Sequence, residues 1–198
     1  ARKTLHLYES SDDKKLAEQL AKRALEFKNA QVAVLVFARG VEDVERIAAY
    51  LEKEKQAVKT LTGTMRGLER DQLADGEVFA RFLSKNQHSG PTVYLVCTSA
   101  GEVGVNISAD HLVSDLSTYE SMAQRFGRVN RFGNRDDSSV HVIHPSSFDE
   151  KDKFRRETLA LLNRLEGDAS PDALSRLTGT AAGFSPLPEI LPVTDILF

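Results

Sequence analysis

Short runs of consecutive apolar residues, separated by segments with helical periodicity, constrain the fold of this chain more than any other sequence feature. Residues 31–37 and 92–97 are nearly unbroken apolar, β-branched runs, which is typical of strands buried on both faces. Between them, residues 41–51 carry apolar side chains at helical spacing. Buried strands that alternate with helices are typical of parallel crossover units.

The same alternation extends over most of the chain. Strands are predicted at residues 4–8, 31–37, 58–61, 92–97, 111–114 and 139–143, and helices after Ser11 and at residues 41–51, 68–83, 118–126, 148–165 and 171–177. This order predicts a three-layer α/β sandwich around a mostly parallel sheet. Loops that follow parallel strands emerge at one edge, so we expect the loops after Leu61 and Cys97 to share a surface.

Length and composition limit the number of domains that the chain can form. At 198 residues, one domain is the expected count. We assign residues 1–147 to this domain and residues 148–198 to a C-terminal helical segment with a Pro-containing tail, which either packs on the domain or leads into a further one. A start without Met is expected of a fragment or a processed chain.

Charge and cysteine content exclude several function classes. The formal net charge of −3 argues against binding of nucleic acid by bulk charge, although it permits a local basic strip. The single cysteine, Cys97, rules out a disulfide framework within the chain and a Cys-based zinc cage. No apolar run approaches the roughly 18 residues that span a bilayer. We therefore expect a cytoplasmic location and no membrane partner.

The most informative segment is Gln-Arg-Phe-Gly-Arg-Val-Asn-Arg-Phe-Gly at residues 124–133. Its arginines, Arg125, Arg128 and Arg131, recur every three residues, and the guanidinium fork matches phosphate oxygens. On spacing alone, a solvated basic helix face with internal salt bridges is the favoured explanation of the arginines.

The full string resembles motif VI of superfamily-two helicases, in the variant that begins with glutamine. The resemblance implies that Gln124, Arg128 and Arg131 belong to the catalytic site. It further implies that the two arginines reach across an interdomain cleft to the γ-phosphate of ATP. A positioned guanidinium there stabilises the charge that develops during phosphoryl transfer.

Two further segments are similar to motifs of the same superfamily. Residues 98–107, Thr-Ser-Ala-Gly-Glu-Val-Gly-Val-Asn-Ile, resemble motif V, which implies that Thr98 contacts the nucleic-acid backbone and that Gly104 and Asn106 line the nucleotide. Asn106 stands where aspartate is usual, so the resemblance does not carry over a carboxylate contact to the ribose.

Residues 32–38 with the following helix resemble motif IV. The loop after Leu61 resembles the segment that grips the phosphodiester backbone, which implies nucleic-acid contacts for Thr62, Gly63 and Arg66. Small polar residues of this kind position a phosphate backbone without reading its sequence.

The resemblance covers residues 32–144 and is strongest to the helicase–nuclease of type I CRISPR systems. It implies a RecA-like (P-loop NTPase-like) helicase C-terminal domain, the second of two motor domains. ATP with Mg²⁺ is the implied cofactor, and a first motor domain would hold the metal, because this sequence has neither a phosphate loop nor an Asp-Glu metal motif. The implied partners are single-stranded DNA, the first motor domain and nuclease domain of the same enzyme, and an RNA-guided surveillance complex. This chain alone is expected to hydrolyse no ATP.

Two other functions remain compatible with the sequence. One is an RNA helicase, or a DNA repair or remodelling motor, of the same superfamily, since backbone contacts to the two polymers are similar. The other is a non-catalytic adaptor domain that only docks to a partner.

Overall fold

The computed structural model describes residues 2–63, 76–83, 90–102 and 106–180. Its described strands are β1 (Thr4–Glu9), β2 (Ala33–Phe37), β3 (Ala57–Leu61), β4 (Val93–Cys97), β5 (His111–Asp115) and β6 (Ser139–His144). Its described helices are α1 (Leu16–Leu25), α2 (Val41–Lys53), α3 (Glu77–Ala80), α4 (Tyr119–Phe126), α5 (Lys153–Asn163) and α6 (Pro171–Thr180).

The strands form one sheet in the order β1-β6-β5-β2-β4-β3. Every neighbouring pair is parallel, which confirms the predicted sheet and exceeds the expectation of a mostly parallel one. All six carboxyl ends therefore lie at the same edge, and this edge collects the loops that the sequence analysis singled out.

Two cores, one on each face of the sheet, confirm the three-layer architecture. In β2, Val34 and Val36 point into the core that α1 and α2 cover, whereas Leu35 and Phe37 point into the core that α3, α4, α5 and α6 cover. All four side chains are fully buried. A strand with both faces covered needs an unbroken apolar sequence, and this requirement explains the run at residues 31–37.

The helices begin and end close to the predicted positions, with three differences. The helix predicted at residues 148–165 begins at Lys153, after a 3₁₀ turn at Glu150–Asp152, and ends at Asn163. The predicted helix at residues 68–83 is described only at its end, where α3 occupies Glu77–Ala80. The first helical segment begins with a 3₁₀ turn, Asp13–Lys15, that the Asp12 side chain caps by accepting a hydrogen bond from the Lys14 amide at 3.0 Å.

The C-terminal helices pack on the same sheet as the rest of the chain. Leu162, Leu165, Ala173 and Leu177 belong to the core that contains Val140 of β6, so the described part of the C-terminal segment packs on this domain. Residues 181–198 of the tail lie outside the described residues. Across the described ranges, no helix is long and apolar enough to cross a membrane.

Candidate functional site

Two of the predicted nucleic-acid contacts lie side by side at the carboxyl edge of the sheet. Leu61 pairs with Cys97 across β3 and β4, and the Thr98 amide donates to the Leu61 carbonyl at 3.2 Å. Thr62 and Thr98 therefore follow the ends of adjacent strands, and each residue is 8% exposed. Gly63 is exposed, with no atom within 4 Å of the place where a Cβ would stand. Arg66 lies outside the described residues.

The chain turns sharply after β4 because of Thr98 and Gly101. Thr98 caps the 3₁₀ turn Ser99–Gly101, its Oγ1 accepting from the Ala100 amide at 3.4 Å. A Cβ on Gly101 would lie 3.0 Å from the Cys97 Sγ and 3.1 Å from the Phe37 ring. A larger residue here would require the Cys97 side chain or the Phe37 ring to shift, so glycine favours this close approach of the chain to β4. The next residue, Glu102, is buried.

Arg125 ties this turn to α4 and to the end of β5. Its Nε donates to Glu102 Oε1 at 2.7 Å, and its Nη1 donates to Asp115 Oδ1 at 2.9 Å and to Ser114 Oγ at 2.8 Å. Its guanidinium also lies 4.8 Å from the centre of the Phe37 ring. Arg125 is only 3% exposed. The interpretation of the arginines as a solvated basic helix face is therefore wrong for Arg125.

Opposing effects act on the carboxyl group of Asp115. Its complete burial raises the pKa, whereas the guanidinium groups of Arg125 and Arg39 act to lower it. Charge-assisted hydrogen bonds of this kind compensate the loss of hydration only when both partners are present.

The next arginine is held by the same turn. The Nη2 of Arg128 donates to the Glu102 carbonyl, so Glu102 accepts from Arg125 through its side chain and from Arg128 through its backbone. Arg128 is half-buried, and its burial and the positive charge of Arg131 lower its pKa from the high value usual for arginine. Repulsion between two neighbouring guanidinium groups favours binding of an anion between them.

Arg131 is exposed and lies beside the segment that resembles motif V. Its Nη1 donates to Asn106 Oδ1 at 3.0 Å, and its amide donates to Ser108 Oγ at 3.1 Å. The structure therefore brings together two of the residues assigned to the nucleotide. Gln124 is exposed on α4, and Gly104 lies outside the described residues.

The backbone that carries Arg131 does not share the edge of Thr62 and Thr98. Val129 forms a parallel bridge with Ala109, which precedes β5, so the backbone around Val129 lies at the amino end of that strand. The reason is that α4 runs back against the strand direction after β5. Arg131 thus lies away from Thr62 and Thr98, whereas Arg125 contacts the carboxyl end of β5 and Arg128 reaches the turn that follows Thr98.

Sequence reasoning missed the partners that hold the arginines. Glu102 and Asp115 precede Arg125 by 23 and 10 positions, a spacing that no local motif encodes. Asn130, which is buried next to Arg131, was also missed. Asp115 alone had a signal, because a carboxylate directly after a buried strand is positioned to meet a cationic segment.

The chain offers no metal ligand set among its described residues. In those ranges no three His, Cys, Asp or Glu side chains lie close enough to hold a metal ion. Cys97 is fully buried, as expected of a core thiol, and its burial raises the pKa of the thiol.

Comparison with solved structures shows what the fold resembles. The chain is similar to T. fusca Cas3 with ADP (TM-score 0.76, 18% identity, 90% of this chain and 23% of that chain) and to T. fusca Cas3 with AMPPNP (TM-score 0.71, 17% identity, with the same coverage). It is also similar to the C-terminal domain of the DEAD-box protein Dbp5 (TM-score 0.60, 18% identity, 83% of this chain and 86% of that chain). The chain thus spans less than a quarter of the Cas3 chains but most of the isolated DEAD-box domain.

Sequence comparison identifies the family. No curated protein matches the sequence. The family described as "CRISPR-associated nuclease/helicase Cas3, C-terminal" matches residues 30–134, more than half of the chain and all of the arginine segment and its partners. The chain therefore belongs to the Cas3-like C-terminal family and is a RecA-like motor domain of the superfamily-two helicase type.

Proposed function

We propose that this chain is the second motor domain of an ATP-dependent single-stranded DNA translocase and helicase that acts with a nuclease in type I CRISPR interference. The observation that carries the proposal is the arrangement of Arg128, which the buried Arg125 network holds through Glu102, and of Arg131, which bonds to Asn106. Nucleotide would bind between this surface and a first motor domain.

The chemistry of the arginine pair fits phosphoryl transfer. Guanidinium groups stabilise the charge that builds up on the transferred phosphoryl oxygens, provided that they are positioned before the reaction. Arg128 is positioned through Glu102 and Arg131 through Asn106 and Ser108. ATP with Mg²⁺ is the proposed cofactor, and the first motor domain supplies the metal ligands, so this chain alone is expected to be inactive.

The carboxyl edge of the sheet supplies the proposed track for the nucleic acid. Thr62, Gly63, Arg66 and Thr98 offer hydroxyl, amide and guanidinium donors to a phosphate backbone. Closure of the two motor domains around ATP would shift the strand across this edge in each cycle. The turn from Thr98 to Glu102 would transmit the shift, since Thr98 lies on the track and the Glu102 carbonyl holds Arg128.

Family membership supports the proposed partners. The family description names a CRISPR-associated nuclease/helicase, and the similar T. fusca structures are described with ADP and AMPPNP. On these grounds we propose a nuclease domain in the same enzyme, an RNA-guided surveillance complex as the recruiting partner, and a cytoplasmic location.

The first prediction tests the arginine pair in an enzyme that contains both motor domains. Arg128→Ala or Arg131→Ala should lower ATPase turnover by about 10³-fold, the magnitude typical of an arginine finger. Arg135→Ala is a matched control, because Arg135 follows in the same loop but its side chain pairs with Asp137 at 2.7 Å. Near-normal turnover of an Arg128→Ala, Arg131→Ala double variant would contradict the assignment.

The likeness to the Dbp5 domain favours a second candidate, an RNA helicase. The same enzyme preparation separates the two candidates through stimulation of its ATPase by single-stranded DNA and by RNA of equal length. Stimulation by DNA alone supports the translocase, whereas equal or stronger stimulation by RNA supports the RNA helicase. An enzyme that neither polymer stimulates and that hydrolyses no ATP would indicate an adaptor.

A further inference from the structure

A tight turn at Asn130–Gly133 presents Arg131, and Asn130 closes the base of this turn. The Gly133 amide donates to the Asn130 carbonyl at 3.1 Å. Both residues have left-handed backbone angles, with φ of +44° for Asn130 and +70° for Gly133. Among residues with a side chain, Asn and Asp adopt this conformation most readily.

The side chain of Asn130 uses both ends of its amide. Oδ1 accepts from the Arg135 amide at 3.2 Å, while Nδ2 donates to the Arg135 carbonyl at 2.6 Å and to the Arg2 carbonyl at 3.3 Å. Its backbone amide donates to the Ala109 carbonyl at 2.8 Å. Asn130 is 5% exposed, so water does not compete for these bonds.

This pattern explains why asparagine occupies the position. The turn needs a residue that accepts a left-handed φ, and its base needs one acceptor and one donor from the same side chain. Glycine satisfies only the first requirement. Aspartate offers the acceptor but lacks the donor for the Arg135 and Arg2 carbonyls.

We propose that Asn130 is a positioning residue for Arg131: it fixes the turn that directs the Arg131 guanidinium towards the phosphates of the nucleotide. The inference rests on the proposed function. Asn130 itself is buried and touches no reacting atom, so its effect on turnover must pass through its neighbour Arg131. A displacement of about 1 Å in such a group costs up to roughly 10²-fold in rate.

The test is a double-mutant cycle in the enzyme with both motor domains, with ATPase turnover, the KM for ATP and the affinity for single-stranded DNA as readouts. Asn130→Gly retains the left-handed φ and removes the amide, so turnover should fall about 10–100-fold while KM and DNA affinity stay within about twofold. In an Arg131→Ala background, Asn130→Gly should cause no further loss, because the group it positions is already absent.

Other outcomes overturn the inference in distinguishable ways. Normal turnover of Asn130→Gly, with Arg131→Ala strongly impaired, refutes the positioning role and leaves the proposed function standing. An equal further loss in the Arg131→Ala background shows a general structural role instead. Normal turnover of Arg131→Ala refutes the arginine finger and the positioning role together.

A second variant covers the case in which Asn130→Gly does not fold. Asn130→Asp keeps the acceptor for the Arg135 amide, but its second oxygen faces the Arg135 and Arg2 carbonyls and cannot donate to them. Turnover should therefore fall, again without further loss in the Arg131→Ala background. Turnover of Asn130→Asp equal to that of the unmodified enzyme would show that the donated bonds do not position Arg131.

Discussion

Arg125 and Arg131 are six residues apart in one segment, yet their surroundings differ in every respect that matters for a charged side chain. Arg125 is 3% exposed and bonded to two carboxylates, whereas Arg131 is exposed and its guanidinium meets the neutral amide of Asn106. A buried guanidinium needs paired charges to compensate its lost hydration. The comparison indicates that Arg125 maintains the structure, whereas Arg131 keeps its charge at the surface, where the proposed function needs it.

Glu102 connects the two kinds of arginine. Its carboxylate meets Arg125 and its carbonyl meets Arg128, so the position of the half-buried arginine depends on the pairing of the buried one. Arg125 and Arg128 are therefore coupled through a single residue, and such coupling favours a preorganised phosphate site.

Removal of the Arg125 side chain should have the largest effect on stability. Arg125→Ala leaves Glu102 and Asp115 buried without their partner, and such a loss costs about 3–5 kcal/mol of the free energy of unfolding. Urea denaturation of this chain at pH 7 measures the difference. Arg46→Ala is the control, since the Arg46 side chain is 66% exposed and should change stability by less than about 0.5 kcal/mol. Equal stability of the Arg125 and Arg46 variants would contradict the conclusion that Arg125 maintains the structure.

His141 extends the comparison, because it is a buried basic side chain that contacts no carboxylate among the described residues. Its two ring nitrogens form hydrogen bonds, Nδ1 with the Tyr8 hydroxyl at 3.0 Å and Nε2 with Ser139 Oγ at 2.9 Å. Burial lowers its pKa to about 3, and the nearby positive charges of His6, Arg23 and His111 act in the same direction. Unlike Arg125, His141 is therefore neutral in the folded protein.

The consequence is a loss of stability in mild acid. Below pH 6.5 the unfolded chain binds a proton at His141 that the folded chain does not bind until about pH 3. Stability should therefore fall as the pH falls through this window, by about 2 kcal/mol at pH 5 from this residue alone. Urea denaturation at pH 7 and pH 5 should show a flatter dependence for His141→Gln. An unchanged dependence would mean that His141 titrates normally.

The sheet could be predicted from the sequence, but the contacts between its loops could not. Strands such as β2 and β4 were predictable because burial on both faces leaves no polar position in the run. The arginine segment was predictable because its string resembles a helicase motif. The pairing of Arg125 with Glu102 was not, since it depends on α4 turning back beneath the loop after β4. The left-handed φ of Asn130 likewise follows from its tertiary partners.

The smallest effect on the free energy of unfolding is expected for Arg131, the exposed arginine of the comparison. In Arg131→Ala the surface hydrogen bond to Asn106 is lost, but the amide of residue 131 still donates to Ser108, and Asn130 still closes the turn. An exposed side chain with one neutral partner contributes little to folding, so the free energy of unfolding should change by less than about 0.5 kcal/mol. Urea denaturation of Arg131→Ala beside Arg125→Ala, at the same pH and salt concentration, measures both ends of the segment together. A loss as large as that of Arg125→Ala would mean that Arg131 also maintains the structure, and a fall in ATPase turnover in the same variant could then no longer be assigned to the chemistry of the arginine.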